Sequence, residues 1–324
     1  MRQWLVVIVC AVGCVGNVSN GAAPRATTRP SSRASTGPSM APMVAIQKED
    51  YAVVRGRFHT KMVSGAGVLP AGWFSREPVG APPAGAEEAE YSSGGMRLKG
   101  WISAAARDGS AGDGAAGGAV KKKPAVLFLH GGFYLAADAW EVTRPYREAG
   151  FVVFTPALRS ENGQPGTFTM FYDEVDDVLA AGKFLRERPE VDPDRVFIAG
   201  HSSGGILTML AVEASKDFRA AAPMSGSPDQ LMLSKVMKMT VPFDANDPRE
   251  FEVRSPLAYV GSLACPMRIY YGSEEIIFDQ ASRRMAELAK ARGLDVEAQA
   301  VPGNHKSSVP EAVKRSVAFF QGKL

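Results

Sequence analysis

The sequence predicts an α/β protein with a mostly parallel central sheet and helices on both faces. Short, continuously apolar segments alternate along the chain with longer segments whose apolar residues recur at the spacing of a helix. Such strands are typical of a sheet that is buried on both faces. The 324 residues, 45% hydrophobic and 22% charged, suffice for one large core. The expected strands are 125–129, 151–154, 196–199, 268–271 and 296–301, and the expected helices are 137–149, 170–188, 205–215, 279–292 and 309–320.

The N-terminal residues have the pattern of an export signal. Met1-Arg2-Gln3 precedes an apolar run, residues 4–15, that is too short to span a bilayer as a stable anchor. We expect a signal peptide over residues 1–20. The segment Ala11-Val12-Gly13-Cys14 is similar to a bacterial lipoprotein processing site, which predicts a membrane tether through lipidated Cys14. The alternative is that Cys14 is a small apolar residue of the signal core. The expected location is the periplasm or the cell envelope.

Residues 21–43 are expected to form a disordered tether, because they are rich in Ser, Thr, Pro, Gly and Ala. Without the leader and the tether, the basic residues fall from 37 to 33 against 34 acidic residues, so the net charge changes from +3 to −1. The predicted domain, residues 44–324, is therefore near neutral, and we expect no nucleic-acid partner. Once the leader is removed, Cys265 is the one remaining cysteine, which excludes an intramolecular disulfide.

The first part of the domain predicts an N-terminal β-extension before the main sheet. Residues 87–93 and 96–102 alternate in character on either side of Gly94-Gly95, a pattern typical of a β-hairpin. Upstream of this hairpin, the apolar residues 51–54 are interpreted as a short strand.

The apolar run 196–199 ends in a sharp glycine-bounded turn, Gly200-His201-Ser202-Ser203-Gly204. A strand, a turn and a helix in this order around G-x-S-x-G hold a serine hydroxyl at the tip of the turn, above the sheet. The small residues Gly200 and Gly204 permit the tight turn. Ser202 is therefore a candidate nucleophile. The alternative is an ordinary strand-to-helix turn, because G-x-S-x-G also arises by chance.

A second glycine-rich turn, His130-Gly131-Gly132-Phe133, follows the strand 125–129. In a parallel sheet, ligands bind at the carboxyl ends of the strands, so this turn and Ser202 are expected at the same edge. Attack on a carbonyl needs backbone N–H donors for the oxyanion, and glycines let the main chain approach the substrate. We assign one donor to Gly132 or Phe133 and the other to the N–H of Ser203. A plain strand-to-loop turn is the alternative.

A serine nucleophile needs a base, and the chain has four histidines. His59 and His130 precede Ser202. His201 is the immediate neighbour of Ser202 and is expected to point elsewhere on the turn. His305 lies in a loop after the last predicted strand, and it alone fits a chain order of serine, acid and histidine.

Three carboxylates compete for the role of the acid in the loop after the strand 268–271, namely Glu274, Glu275 and Asp279. Glu275 stands third after a glycine, where the loop should aim its side chain toward His305, and it is our first choice. Asp279 is the second choice, although we expect it to cap the next helix. Glu274 is expected to face solvent. The acid would hold the imidazole in the correct tautomer and stabilise its charged form.

These motifs together resemble the α/β-hydrolase superfamily, and within it the prolyl oligopeptidase-type catalytic domain and its dienelactone-hydrolase-like relatives. The resemblance covers about residue 87 to the C-terminus and implies the α/β-hydrolase fold. It is carried by His130-Gly131-Gly132, Gly200 to Gly205, Gly272 to Glu275 and Gly303-Asn304-His305. Two positions depart from the branch. The acid is usually Asp where this chain has Glu275, and Ser203 stands where peptidases of the branch commonly have Tyr.

The stretch between residue 44 and Pro124 is too short for the β-propeller that gates those peptidases, which favours an esterase. We therefore expect an exported serine hydrolase that cleaves an ester or related acyl bond of a small molecule through an acyl-enzyme, with no metal or organic cofactor. A prolyl oligopeptidase-like serine peptidase acting on short peptides is one alternative. A catalytically silent binding protein on a hydrolase fold is another.

Overall fold

Five strands of the central sheet form where the continuous apolar segments predict them. The computed structural model describes residues 43–63, 75, 77–104 and 122–324. The predicted signal peptide with Cys14, and all of the predicted tether except Met43, lie outside the described residues. The described strands are β1 (Ala86–Ser93), β2 (Met96–Ser103), β3 (Lys123–Leu129), β4 (Val152–Pro156), β5 (Val191–His201), β6 (Ala221–Met224), β7 (Met267–Gly272) and β8 (Val296–Val301).

One helix precedes the first strand of this sheet in the chain, and the others lie between its strands and after its last strand. They are α1 (Tyr51–Arg57), α2 (Ala137–Val142), α3 (Arg144–Glu148), α4 (Glu174–Arg186), α5 (Ser203–Ala214), α6 (Gln230–Val236), α7 (Pro248–Glu252), α8 (Ile276–Lys290) and α9 (Val309–Gln321), with two 3-10 segments at Glu161–Gly163 and Pro256–Ser262. No helix in the described part of the chain is long and apolar enough to cross a membrane.

The strand order is β1-β2-β4-β3-β5-β6-β7-β8. Strands β3 to β8 pair in parallel, whereas β1 pairs antiparallel with β2, and β2 antiparallel with β4. The β1–β2 hairpin turns at Gly94 and Gly95, whose φ angles are 54° and 80°, as a tight two-residue turn requires. The carboxyl ends of six parallel strands therefore share one edge of the sheet, where ligands bind in such folds.

Both faces of the sheet are buried, as predicted. Along β3, Leu127 and Leu129 belong to a core cluster with residues of α4, α5 and α8, while Val126 and Phe128 belong to a second cluster with residues of α2, α3 and α9. Because successive side chains of a strand point to opposite faces, this alternation shows helices packed on each side. The predicted α/β class with a mostly parallel sheet is confirmed.

The predicted short strand at 51–54 is wrong, because these residues begin helix α1. The carboxylate of Asp50 accepts a hydrogen bond from Val53 N and so caps the first turn. Tyr51 and Val54 are buried at a spacing of three residues, which is a helical period.

Two of the predicted helices differ in extent. The segment 137–149 forms two short helices that meet at Thr143, because Pro145 has no N–H for a continuous helix. The segment 170–188 becomes helical at Glu174, because Met170 and Phe171 have left-handed φ angles of 55° and 67°. The pattern also missed β6, whose four residues are too few to show a period.

Candidate active site

Ser202 lies between the end of β5 and the start of α5, at the carboxyl edge of the sheet. Its backbone is in an unusual conformation for a residue with a side chain, with φ 56° and ψ −116°. The turn is anchored by a hydrogen bond of 2.8 Å from Ser202 N to Met224 O on β6. A Cβ atom on Gly204 would clash with the carbonyl oxygens of Leu129 and His130, so this position accepts only glycine. The strand–turn–helix geometry that the motif predicts is present.

The structure brings Ser202, His305 and Glu275 together in one hydrogen-bonded chain. His305 Nε2 lies 3.0 Å from Ser202 Oγ, and His305 Nδ1 lies 2.6 Å from Glu275 Oε1. A carboxylate only accepts hydrogen bonds, so the ring proton is on Nδ1 and Nε2 faces the serine hydroxyl as an acceptor. In this arrangement the imidazole can take the Ser202 proton while the carboxylate stabilises the resulting charge.

The carboxylate of Glu275 is buried, and each of its oxygens has a defined partner. Oε1 faces His305, while Oε2 accepts hydrogen bonds of 2.6 Å from the Ser225 hydroxyl and of 2.6 Å from Gly272 N–H. Burial by itself raises the pKa of Glu275, but the hydrogen bonds from His305, Ser225 and Gly272 outweigh it and lower the pKa below that of an ordinary glutamate. The group is therefore an anion at neutral pH.

Neither of the other two acidic candidates forms a hydrogen bond with His305. Asp279 forms an ion pair with Arg283 one turn further along α8. It does not cap that helix as expected, because α8 begins at Ile276 and Glu275 occupies the N-cap position. Glu274 is exposed, as predicted.

The loop that carries His305 is shaped by local hydrogen bonds. Asn304 Oδ1 accepts from Lys306 N and Ser307 N, each at 3.1 Å, which is the pattern of an Asx turn. The ring of His305 stacks on Phe278, with centroids 5.4 Å apart and planes at 29°. The imidazole is therefore fixed from one side by packing and from its edge by Glu275.

The other histidines occupy different environments. His201 Nε2 donates a hydrogen bond of 2.8 Å to His305 O, and the two rings are 4.8 Å apart. The ring of His201 therefore bonds the backbone of the loop that carries His305 and not the hydroxyl of Ser202, and it is His305 that bonds this hydroxyl. Burial, and then the like charge of His305, lower the pKa of His201 to about 4. His130 is buried against Glu161, with Nε2 3.0 Å from Oε2, and His59 is exposed.

The candidate oxyanion donors lie beside the nucleophile. Ser203 is the first residue of α5, where backbone N–H groups have no partner within the helix. Gly132, with a φ of 75°, and Phe133 follow β3 in the neighbouring loop. The Ser203 hydroxyl donates a hydrogen bond of 2.7 Å to Gly132 O, which links the two donor segments.

A small cavity of about 10 Å³ adjoins these donors and has room for about one water molecule. It lies between the β3 loop, the segment before α4 and the start of α5, and its lining includes Gly132, Phe133, Phe168, Phe171, Ser203 and Leu207. Phe133 packs edge-on against Phe168, with ring centroids 4.7 Å apart. Aromatic side chains therefore border the loop of Gly132 and Phe133 on this side.

No sequence pattern indicated Ser225, whose hydroxyl bonds the Glu275 carboxylate. This residue follows β6 with a φ of 48°, and because the strand went unrecognised its end could not be placed at the site. The role of Phe278 could not be recognised from the sequence either, since its stacking on His305 depends on the pitch of the first turn of α8. Across the described residues, no group of three or more His, Cys, Asp or Glu side chains is arranged to hold a metal ion.

Comparison with known proteins identifies the family and several relatives of this chain. The model of the prolyl oligopeptidase family matches residues 141–324. An uncharacterized peptidase of Bacillus subtilis, YtmA, is 28% identical over 199 residues, which are 57% of this chain and 71% of that protein. Acyl-protein thioesterase 1 of Gibberella zeae is 28% identical over 229 residues, 61% of this chain and 90% of that protein.

Among solved structures, the acylaminoacyl peptidase of Pyrococcus horikoshii matches with a TM-score of 0.58 at 21% identity. The match covers 74% of this chain but only 42% of that chain, less than half of its length. At this identity the likeness concerns the fold, and it identifies the observed sheet and helices as an α/β-hydrolase fold.

Proposed function

This chain belongs to the prolyl oligopeptidase family and is a serine hydrolase, and from that premise we propose that Ser202 is its nucleophile, His305 its base and Glu275 its acid. We further propose that it cleaves an ester or related acyl bond. The observation that carries the proposal is the continuous hydrogen-bonded chain from Ser202 Oγ through both ring nitrogens of His305 to Glu275 Oε1. The likeness to a thioesterase supports an ester-type bond as the target.

In the acylation step, Ser202 Oγ attacks the acyl carbon while its proton moves to His305 Nε2. The carbonyl electron pair moves onto the oxygen, and the N–H groups of Ser203 and of Gly132 or Phe133 stabilise this oxyanion. His305, now charged, is held by the Glu275 carboxylate at 2.6 Å. Collapse of the intermediate breaks the bond to the leaving group, which takes the proton from Nε2, and leaves the acyl group on Ser202.

In the deacylation step, His305 Nε2 takes a proton from a water molecule that attacks the acyl carbon. The second oxyanion uses the same backbone donors, and its collapse returns the proton to Ser202 Oγ and releases the acid. The chain's own residues supply every proton transfer in this scheme.

Labelling with a fluorophosphonate probe tests the nucleophile. We expect the protein to be labelled at Ser202 and labelling to disappear in Ser202→Ala. Ser215→Ala, at the C-terminal end of the same helix, is the matched control and should label at the normal rate. Labelling of Ser202→Ala at the normal rate would reject the assignment.

A peptidase is the second candidate, because the family and the Bacillus subtilis relative are both named for peptide hydrolysis. A panel that pairs short-chain nitrophenyl esters with aminoacyl amides of matched acyl group separates the two. We expect kcat/KM to favour the esters. A preference for the amides, abolished in Ser202→Ala, would make the protein a peptidase with the same triad.

We also propose that the chain is exported and tethered through a lipid on Cys14. The support is the apolar run 4–15 after Arg2 and the processing-site pattern that ends at Cys14. Expression of the full chain in a bacterium with labelled palmitate should give a labelled envelope protein, and Cys14→Ser should lose the label. Recovery of unlabelled protein from the soluble periplasm would leave export standing and reject the lipid.

A further inference from the structure

The nucleophile and the base of the proposed triad lie on two segments that are far apart in the sequence. Ser202 stands in the turn after β5, and His305 stands in the base loop, residues 302–308, between β8 and α9. The hydrogen bond of 3.0 Å between Ser202 Oγ and His305 Nε2 therefore depends on how the turn and the loop are held together. A misplacement of about 1 Å in such a contact can lower a rate about 100-fold.

Hydrogen bonds at Gly303 attach the base loop to the segment that carries the acid. Gly303 N donates to Ser273 Oγ at 3.3 Å, and Glu274 N donates to Gly303 O at 3.1 Å. Asn304 Oδ1 then closes the loop through local bonds to two backbone N–H groups. These contacts set the shape of the base loop and its place beside the acid, and none of them reaches the turn of the nucleophile.

The side chain of His201 connects the base loop to the turn of the nucleophile. Its Nε2 donates a hydrogen bond of 2.8 Å to the carbonyl oxygen of His305. Because a carbonyl only accepts hydrogen bonds, the proton of the His201 ring is on Nε2. Burial, and then the like charge of His305, lower the pKa of His201 to about 4, so at neutral pH the ring adds no positive charge beside the imidazolium.

The ring of His201 is restricted on its other edge as well. A Cβ atom on Gly131 would lie 2.8 Å from His201 Nδ1, so the main chain of the loop after β3 packs closely against this edge. The rings of His201 and His305 lie 4.8 Å apart between centroids. The imidazole of His201 is therefore confined between the loop of Gly131 and the base loop, with Nε2 directed at the carbonyl of His305.

His201 and Ser202 are consecutive residues that bind the same residue at two points. His201 bonds the carbonyl of His305, and Ser202 Oγ bonds its imidazole. The two hydrogen bonds and the backbone between them form a closed ring. A movement of the base loop away from the nucleophile would stretch both bonds together. The separation of Oγ and Nε2 is therefore coupled to the position of the His201 ring.

We propose that His201 is a positioning residue that holds the backbone of His305 so that its imidazole lies within hydrogen-bond reach of Ser202. It acts through His305 and takes no part in the proton transfers. The inference rests on the proposed function, because it concerns the base of that reaction.

The test compares two amide variants, His201→Asn and His201→Gln. The amide nitrogen of Gln can take the place of the imidazole Nε2 and donate to His305 O, whereas that of Asn lies closer to the backbone and cannot reach it. We expect kcat for a nitrophenyl ester to fall about 10- to 100-fold in His201→Asn and to stay within about threefold of the wild type in His201→Gln. KM should change by less than about threefold in both, because the contact acts on proton transfer and not on substrate binding.

A double-substitution cycle with His305→Ala separates positioning of the base from general damage to the site. When the imidazole is absent its backbone need not be held, so His201→Asn should lower the residual kcat by less than about threefold in the His305→Ala background. Damage to the oxyanion donors or to the turn would lower kcat in both backgrounds.

Thr208→Val is the matched control, because it removes a buried bond of 2.8 Å to Gly204 O in the helix that follows Ser202. It should keep kcat within about twofold of the wild type. Thermal melting of each variant reports on folding. If His201→Asn melts below the assay temperature, His201→Leu, which also lacks a donor, takes its place in the comparison.

The outcomes separate the two levels of the proposal. Equal kcat in His201→Asn and His201→Gln, or an equal loss in His201→Asn with and without the imidazole of His305, overturns the positioning role. The hydrolase assignment stands in that case if a fluorophosphonate labels the wild type. If the wild type neither reacts with the probe nor hydrolyses any ester or amide of the panel, the proposed function and this inference are both overturned.

Discussion

Replacement of Glu275 by Gln should leave the site assembled but place the imidazole proton on the wrong nitrogen. In the wild type, Glu275 Oε2 accepts two hydrogen bonds, from the Ser225 hydroxyl and from Gly272 N–H, each at 2.6 Å. Gly272 N–H is part of the backbone and cannot turn away, so the amide oxygen of Gln takes this position. The amide NH₂ then faces His305 Nδ1 and donates to it. The ring proton moves to Nε2, where it blocks transfer of a proton from Ser202.

The expected loss of kcat in Glu275→Gln follows from what the substitution removes. Both the correct tautomer and the charge that stabilises the imidazolium are lost, while the nucleophile and the backbone donors remain. A comparable amide substitution in a serine protease triad lowers kcat about 10⁴-fold. We expect kcat to fall by about 10³- to 10⁴-fold, or about 4 to 5.5 kcal/mol of activation free energy. KM should change by less than about threefold.

The assay is the steady-state hydrolysis of a short-chain nitrophenyl ester, with Asp279→Asn as the matched control. Asp279 is the neighbouring carboxylate and pairs with Arg283 on the surface of α8, so its amide variant should keep kcat within about twofold. A larger loss in Asp279→Asn than in Glu275→Gln would refute the reasoning. So would a kcat of Glu275→Gln within about tenfold of the wild type.

Three further substitutions test buried groups of the fold and the turn at Ser202. Glu213 is 3% exposed, neither of its oxygens has a hydrogen-bond partner among the described residues, and burial raises its pKa well above that of an exposed glutamate. The unfolded chain therefore ionises first, and the free energy of unfolding falls with rising pH between the two pKa values by about 1.4 kcal/mol per pH unit. Glu213→Gln should unfold at higher urea than the wild type at pH 8, and an equal difference at pH 5 would contradict this origin. Arg254→Met should lower the free energy of unfolding by about 3 to 5 kcal/mol, because it leaves Glu250 buried without the partner that lies 2.6 Å away; urea midpoints check it, and a loss below about 1 kcal/mol would speak against it. Gly204→Ala should give little soluble protein, because its Cβ would clash with Leu129 O; a wild-type yield and melting temperature would show that the turn can relax.

The sequence was most informative where a function requires both a residue type and a chain order. His305 is the one histidine that follows both the predicted strand before the nucleophile and the predicted strand before the acid. It could therefore be chosen without knowing any distance. Glu275 could be preferred because counting from Gly272 fixes the direction of a side chain in a tight turn. The structure brings both residues to Ser202.

The remaining features depend on contacts between segments that are distant in sequence. Ser225 reaches the acid from β6, a strand of four residues that contains Pro223 and shows no periodicity. The left-handed conformations of Met170 and Phe171 have no signature in residue type, since both side chains normally disfavour that region. Glu174 explains them in part, because its carboxylate accepts hydrogen bonds from Thr169 N and Tyr172 N and so closes the segment into a turn before α4.

The turn before α8 accounts for a glutamate at position 275, where the branch that the sequence resembles usually has aspartate. Glu275 N–H bonds Gly272 O at 2.9 Å, which closes a tight turn at the N-cap of α8. The carboxylate then folds back across this turn to Gly272 N–H while its other oxygen extends to His305. One side chain therefore closes the turn, bonds Ser225 at the end of β6 and orients the base. The additional methylene of glutamate supplies the reach for all three contacts, so the departure from aspartate is a consequence of how this turn is built.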